Sequence, residues 1–251
     1  MAIPLLEIKH LTHSYPDGNG GIFDISFSVS RGDFIILAGQ NGSGKTTLIR
    51  HLNGLLRPSK GEIRLHGKNI LKDLTLTRKK IGMVFQDADT QIVGDTVFDE
   101  VAFGPENLNL ERSLINRKVI QILEQLGLIG LKHRNPATLS GGEKRKLAIA
   151  GILAMDPEII IFDEPFANLD YPGTRSLLAN ICDLNQKGQT IIMATHDVET
   201  LLESASRLLI MSQGQLVEDG SIASLLGKLE SRGIKEPCTC KITASPPPWQ
   251  A

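Results

Sequence analysis

A glycine-rich loop near the start of the chain constrains its fold more than any other feature. Gly39-Gln-Asn-Gly-Ser-Gly-Lys-Thr46 matches the pattern G-x-x-x-x-G-K-[ST], follows the apolar run 34–38 and precedes a helical pattern. In this context backbone N–H groups can surround phosphate oxygens, because the glycines keep side chains away. We expect Lys45 to reach the β- and γ-phosphates of a nucleotide and Thr46 to offer its hydroxyl to Mg²⁺. The alternative is a glycine turn with a chance lysine.

Hydrophobic patterning predicts the fold around this loop. The continuous apolar runs 34–38, 159–162 and 190–194 are typical of strands buried on both faces, and helical patterns separate them. Residues 5–11 and 21–29 alternate like antiparallel strands. From about 87 to 157 there is no strong strand signal, and 113–126 carries apolar residues at helical spacing. We predict an α/β fold with a mainly parallel sheet, an antiparallel β subdomain and a helical insertion over about 87–157. The domain is expected to cover 1–227, and a short flexible tail 228–251.

Composition excludes several classes of protein. With 41% hydrophobic residues and a formal net charge of -1, the chain is too apolar for disorder and gives no support to a generally basic nucleic-acid binder. It contains no run of 18 apolar residues, which excludes a transmembrane helix, and a secretory signal is not expected. The cysteine count is odd, which fits a reduced, cytosolic environment. Cys238 and Cys240 fall in the tail and lack further ligands for a metal site.

Two carboxylates end the run 159–162. Asp163 at the carboxyl end of a parallel strand would lie beside the phosphate loop, where it can hold the Mg²⁺ shell. Glu164 can accept a proton from an attacking water. The alternative is a strand end that meets solvent.

Residues 139–143 allow two interpretations. Ser140 and Glu143 have the spacing of a capping box, which needs no functional explanation. Gly141 and Gly142 at a helix N-terminus also suit an anion, and the phosphate loop makes that second interpretation relevant here.

Together these motifs resemble the ATP-binding cassette (ABC) ATPases. Leu139-Ser-Gly-Gly-Glu143 stands between the phosphate loop and the Asp163-Glu164 strand, in the family's order, and the resemblance extends from Tyr15 to His196. It implies a P-loop NTPase fold of the ABC type and hydrolysis of ATP with Mg²⁺. It also implies that two such chains pair head to tail, as a homodimer or with a related chain.

The resemblance implies roles for individual residues. Tyr15 would stack on adenine, Gln86 would touch Mg²⁺ and water, Asp170 would lie at the dimer interface and His196 near the γ-phosphate. Outside this context, Tyr15 would more simply be a packing residue and His196 a capped one. The expected catalytic residues are Glu164, His196, Gln86 and Lys45, and the expected metal-site residues are Thr46, Gln86 and Asp163. The expected nucleotide-binding residues are Tyr15, Gly39, Gln40, Asn41, Gly42, Ser43, Gly44, Lys45, Thr46, Thr47, Ser140, Gly141, Gly142 and Asp170.

Residues 85–105 indicate which kind of ABC ATPase the chain resembles. A second glutamine, Gln91, follows Gln86, and then comes a V-x-x-E-V-A-F-G-P stretch from 97 to 105. This is similar to the ATPases of energy-coupling factor (ECF) and cobalt/nickel-type uptake transporters. The similarity implies transmembrane partner subunits and attachment to the cytoplasmic side of the cell membrane through protein alone. The imported solute would be a vitamin, cobalt or nickel, or another small molecule.

One surface and two rival functions stay open at this stage. Val97, Val101 and Phe103 could form an apolar helix face that receives a membrane partner's helix, or the face could pack on the domain itself. A soluble ABC ATPase acting on nucleic acid or ribosomes is the alternative function. The single cassette, the lack of heptads and the neutral charge argue against it, so no nucleic-acid partner is predicted. A nucleotide-binding regulator without turnover is disfavoured by Glu164.

Overall fold

The computed structural model describes residues 4–16 and 20–235. Cys238, Cys240 and the rest of the predicted tail from 236 to 251 lie outside the described residues. The predictions about a flexible tail and about these two cysteines therefore stay predictions.

Four strands of the described residues form an antiparallel sheet near the amino terminus, in the order β2-β1-β4-β5. Ile8 pairs with Phe27 on one side and with Ile63 on the other, so the alternating residues of β1 face a common core. The strands are β1 (Leu6–Ser14), β2 (Gly21–Val29), β4 (Lys60–Leu65) and β5 (Lys68–Asn69).

A second sheet forms the centre of the molecule, in the order β10-β9-β3-β8-β7-β6. All of its neighbouring strands run parallel except β10, which is antiparallel to β9. Its strands are β3 (Phe34–Ala38), β6 (Ile81–Val84), β7 (Ile159–Asp163), β8 (Thr190–Thr195), β9 (Arg207–Ser212) and β10 (Gln215–Gly220).

Helices cover both faces of the central sheet. They are α1 (Lys45–Leu52), α2 (Leu74–Lys80), α3 (Val97–Asn107), α4 (Arg112–Gln125), α5 (Gly141–Leu153), α6 (Tyr171–Gln186) and α7 (Ile222–Leu225). Between Val84 and Ile159 the chain is helical or irregular, with α3, α4 and α5 as its longer helices. The predicted fold class, with its two kinds of sheet and its helical insertion, is confirmed.

Successive residues of the central strands enter two different cores. Phe34 and Ile36 pack with the helices of the insertion, whereas Ile35 and Leu37 pack with the antiparallel sheet and α1. All of these side chains are buried. This two-sided burial explains why the strand is apolar without alternation.

The packed part of the chain extends beyond residue 227, where we predicted that the domain ends. Leu229 and Ile234 are buried in the same core as α5 and α6. The prediction placed the boundary too early because these two apolar residues stand among polar neighbours, and local pattern does not reveal their long-range contacts.

Across the residues described, no helix has the length and apolar character needed to cross a lipid bilayer.

Candidate functional site

The parallel strands bring three motifs to one edge of the central sheet. In the strand order, β8 lies between β3 and β7. Ala38 at the end of β3 pairs with Thr195, and Asp163 at the end of β7 pairs with Ala194. The phosphate loop, the two carboxylates and His196 therefore all follow strand ends that are direct neighbours. Ligands of open α/β sheets bind at this carboxyl edge.

The phosphate loop needs glycine at two positions for different reasons. A Cβ atom at Gly39 would lie 2.5 Å from the carbonyl oxygen of Met211 and 2.5 Å from Ser43 Oγ, so no side chain fits there. Gly44 has a φ of 101°, a left-handed conformation that L side chains rarely adopt, and it directly precedes α1. The sequence folds this way locally because only glycine satisfies both constraints.

Lys45 is a buried cation inside the loop. Its Nζ donates to the carbonyl oxygens of Gly39 at 2.7 Å and Gln40 at 3.1 Å. Burial lowers the pKa of Lys45, while the charges of Glu164 and Asp163 act in the opposite direction. The ammonium group is thus held at the base of the loop, close to two carboxylates.

Asp163 and Thr46 form the oxygen-rich corner of the site. The Thr46 hydroxyl donates to Asp163 Oδ1 at 3.3 Å. Burial raises the pKa of Asp163, the charge of Glu164 raises it further, and the hydrogen bond from Thr46 opposes both. A buried carboxylate beside a hydroxyl matches the hard oxygen ligands that Mg²⁺ prefers, so these residues fit that ion.

Glu164 is held in a strained backbone conformation beside this corner. Its φ is 46°, a region that non-glycine residues rarely occupy and that is enriched at functional sites. Its carboxylate accepts from Thr195 Oγ1 at 3.2 Å and from Nδ1 of His196, which lies 3.0 Å from both oxygens. The sequence analysis missed Thr195; its signal was its place at the end of β8, next to His196.

A cleft of about 450 Å³ opens in front of these groups. Tyr15 lies on its wall and exchanges a hydrogen bond with the hydroxyl of Thr47 at 3.1 Å. The ring of His13 packs edge-on against Tyr15, at 4.8 Å between centroids. The lining residues are Tyr15, Gly20, Gly21, Asn41, Gly42, Gly44, Lys45, Thr46, Thr47, Gln86, Glu164 and His196.

The remaining predicted residues of the phosphate loop do not line this cleft. Gly39 and Ser43 are buried behind the loop, and Gln40 is exposed, where its side-chain amide donates to the carbonyl oxygen of Gly233 at 3.5 Å. Gly39 and Gln40 instead position Lys45 through their carbonyl groups.

The Ser140 segment and Asp170 also lie apart from the cleft. Ser140 caps α5, and its side chain and that of Glu143 form a complete capping box. Asp170 caps α6 and accepts from the backbone N–H of Gly173 at 2.9 Å. The structure thus bears out the local interpretation of Ser140 and Glu143, yet Ser140 and Gly141 remain exposed.

Residues of the 85–105 stretch have mainly structural contacts in this chain. Val97 and Val101 are buried in the chain's own core, so these two residues pack on the domain itself, and Phe103 is left 51% exposed. Glu100 is buried and accepts from the N–H groups of Val93 and Gly94, both at 2.8 Å. Gln91 accepts from the N–H of Phe85 at 3.0 Å and thereby closes the loop that carries Gln86.

A scan of protein-family models matches residues 22–167 to the family described as ABC transporter. This match covers more than half of the chain and includes the phosphate loop and both carboxylates. The chain belongs to the ABC transporter family. As an ABC ATPase it binds and hydrolyses ATP, and the predicted family and enzyme class are confirmed.

Curated relatives indicate which group of ABC ATPases this chain resembles. An energy-coupling factor transporter ATP-binding protein, EcfA, from Methanocaldococcus jannaschii is 42% identical over 90% of this chain and 82% of its own length. A cobalt import ATP-binding protein, CbiO, from Rhodobacter capsulatus is 39% identical over 96% of this chain and 89% of its own length. The chain spans 65% of a longer relative, EcfA2 from Methanospirillum hungatei, at 40% identity. These names confirm the predicted ECF and cobalt-type group and give no support to a nucleic-acid function.

Solved structures agree with this assignment. The structure of cbiO1 from Clostridium perfringens, described as part of the ABC transporter complex cbiONQ, has a TM-score of 0.82 and 32% identity. It covers 92% of this chain and 96% of the solved chain. The fold of the ABC ATPase is therefore shared over almost the whole described region.

Proposed function

We propose that this ABC ATPase drives an ECF-type uptake transporter by hydrolysing ATP between two copies of the chain. The observation that carries the proposal is the geometry of Glu164, whose carboxylate is held by Thr195 and His196 at the mouth of the phosphate-loop cleft. A carboxylate in this position can take a proton from water in front of a bound γ-phosphate.

The chain's own residues divide the work at the cleft. The N–H groups of the phosphate loop and the N-terminus of α1 bind phosphate oxygens, and Lys45 neutralises their charge. Tyr15 offers its ring to the adenine base. When bound, Mg²⁺ would be held by Thr46 and Asp163 with Gln86 close by, and it would neutralise charge on the β- and γ-phosphates.

Glu164 then acts as the general base. It accepts the proton of the attacking water, while His196, which already donates to it, orients the carboxylate. The strained backbone at Glu164 keeps the carboxylate aimed at the cleft instead of at solvent. The reaction is cleavage of the β–γ phosphoanhydride bond, which yields ADP and phosphate.

A second copy of the chain completes each site in this proposal. The exposed end of α5, with Ser140, Gly141 and Gly142, has backbone N–H groups that suit an anion but no cleft of its own. In a head-to-tail pair these residues would face the partner's γ-phosphate, and Asp170 would lie at the interface between the two chains. No catalytic motif of the chain is degenerate, which favours a homodimer.

The membrane partners are multi-span subunits that would bind the helical insertion on the cytoplasmic side. The relatives' names, which are those of energy-coupling factor transporter and cobalt import ATP-binding proteins, support a transporter partner. The docking site on the insertion and the cytoplasmic side follow from the family resemblance alone. Those partners would choose the solute, whether cobalt, nickel, a vitamin or another small molecule.

Purification of the tagged chain from gently solubilised native membranes, with mass spectrometry of the companions, tests this function. We expect a multi-span protein to come with the chain and ATP hydrolysis in the purified complex. Recovery of soluble or ribosomal partners alone would contradict the transport function and leave the ATPase activity standing. A second, different ATPase chain in the complex would contradict the homodimer.

A further inference from the structure

Arg145 is a buried cation that the proposed reaction does not use. It lies on α5, five residues after Ser140, and its side chain is only 7% exposed. Within the described part of the chain it forms no ion pair with a carboxylate. Burial of a guanidinium without such a partner is costly, so its contacts need an explanation.

A single nitrogen of Arg145 bridges two loops. Nη2 donates to the carbonyl oxygen of Gln86 at 3.4 Å and to the carbonyl oxygen of Ala167. Nε is buried and has no hydrogen-bond partner. Burial lowers the pKa of Arg145 and the charge of Asp87 opposes that effect.

The two bridged loops belong to the nucleotide cleft. Gln86 lines the cleft itself. Ala167 lies midway along the segment that connects Glu164 with Asp170, and its N–H donates to the carbonyl oxygen of Glu164 at 3.2 Å. The guanidinium therefore joins the helix that carries the exposed Ser140 segment to the loop of Gln86 and to the segment that follows Glu164.

We propose that Arg145 is a positioning residue: through its hydrogen bonds, α5 moves together with the Gln86 and Ala167 loops. Nucleotide in a chain's own cleft thereby sets the position of the Ser140 segment that the chain offers to its partner. This inference rests on the proposed head-to-tail dimer. It adds a residue through which the two sites communicate, by two hydrogen bonds to carbonyl groups and without contact to nucleotide.

The neighbouring residue provides a matched control. Lys144 is on the same helix and its Nζ lies 2.5 Å from Asp89 Oδ1, shortly after the Gln86 loop. Lys144 therefore also connects α5 to the segment that follows Gln86. Among the described residues, Lys144 has no hydrogen bond or ion pair with the Ala167 loop. Removing the charge of Lys144 tests whether loss of any connection between α5 and the Gln86 region weakens dimerisation, or only loss of the Arg145 hydrogen bonds.

The experiment uses a Glu164→Gln parent, which should bind ATP and dimerise without hydrolysing it. Into this parent we would introduce Arg145→Met, which fills similar space and donates nothing, Arg145→Lys, which keeps one nitrogen with several N–H donors, and Lys144→Met. ATP binding is measured with a fluorescent ATP analogue, and dimerisation by size-exclusion chromatography over a range of ATP concentrations. Arg145→Gln, neutral and shorter, serves if the methionine variant fails to bind nucleotide.

We expect Arg145→Met to bind the analogue within about threefold of its parent but to need about tenfold more ATP for half-maximal dimerisation, as loss of hydrogen bonds from a charged donor predicts. Arg145→Lys should restore most of the ATP sensitivity of dimerisation, and Lys144→Met should dimerise at the same ATP concentration as the parent. An Arg145→Met or Arg145→Gln chain that dimerises like its parent would overturn the inference. So would loss of dimerisation and nucleotide binding in equal measure. A parent that stays monomeric with ATP contradicts the proposed dimer itself, and the inference falls with it.

Discussion

The nucleotide cleft and the exposed end of α5 both carry residues of the ABC motifs, but they differ in how far one chain completes them. In the cleft, Lys45, Asp163 and Glu164 are oriented by hydrogen bonds from within the chain. At the end of α5, the side chains of Ser140 and Glu143 form hydrogen bonds with each other and with each other's backbone.

This difference indicates which part of the molecule would contribute to a partner chain in the proposed dimer. The buried polar groups of the cleft are held in position by their own chain, whereas an exposed helix N-terminus with glycines has unused donors. In the proposed dimer the cleft would therefore supply the chemistry, and the α5 end would supply a surface for the partner's phosphate. Each prediction below changes one side of this comparison and leaves the other intact.

The largest effect is expected inside the cleft. Glu164→Gln removes the general base but keeps the size of the side chain, so phosphate release should fall by about a thousandfold while ATP binding stays within about threefold. Steady-state phosphate release and equilibrium ATP binding would be measured. Glu124→Gln, an exposed change on α4, is the control and should be neutral. Retention of more than a tenth of the rate would mean that Glu164 is not the base.

A smaller effect is expected at the α5 end. Gly142→Asp places a negative charge where a partner's γ-phosphate would lie, and hydrolysis should fall by about a hundredfold. A Cβ at Gly142 would meet only Leu169 Cδ2, at 3.9 Å, so the fold should tolerate the change. An acidic residue in the first turn of a helix is favourable in itself.

Two results would separate these sites. Nucleotide binding to the isolated Gly142→Asp chain should match the unmodified protein, because Gly142 does not line the cleft. Gly130→Asp, at an open glycine of the same insertion, should leave hydrolysis unchanged. Equal loss of binding and hydrolysis in Gly142→Asp would show that the α5 end acts on its own chain's site.

The smallest expected effect is on the thermal stability of the protein, through the buried Asp163 in the cleft. Burial raises the pKa of Asp163, so between the pKa of the unfolded chain and the raised pKa the folded protein binds a proton that the unfolded chain has lost. This group therefore contributes stability at low pH that is lost as the pH rises through the raised pKa. Asp163→Asn, which cannot ionise, should melt about 2–4 °C higher at neutral pH and should hydrolyse ATP poorly.

Calorimetry from about pH 4 to about pH 8 would measure this. The stability advantage of Asp163→Asn should shrink as the pH falls, and exposed Asp95→Asn should show no such trend. A variant that is less stable than its parent at neutral pH would mean that Thr46 and Lys45 compensate the charge of Asp163 fully.

The sequence predicted those parts of the molecule that depend on local pattern. The buried strands and the phosphate loop were predictable because two-sided burial demands apolar runs and phosphate binding demands glycines, as Ile35 and Gly39 illustrate. The contacts of Thr195 with Glu164 and of Arg145 with Ala167 were not, since they join residues far apart in the chain. The burial of Leu229 was not predictable either, because the residues next to it in sequence do not indicate it.

The sequence left two interpretations of the 97–103 face open for a related reason. Val97 and Val101 have helical spacing that suits either a partner or the chain's own core, and periodicity does not distinguish the two. The structure places both in the core and leaves Phe103 exposed.

The most direct test of the composite site mixes two inactive proteins, one with Glu164→Gln and one with Gly142→Asp. In a head-to-tail heterodimer, one site combines both defects, and the other combines the intact Glu164 of one chain with the intact Gly142 of its partner. The account predicts that the mixture regains about a quarter of the unmodified rate, because half of randomly formed dimers carry one intact site of two. A mixture whose rate equals the average of the two separate proteins would contradict the account.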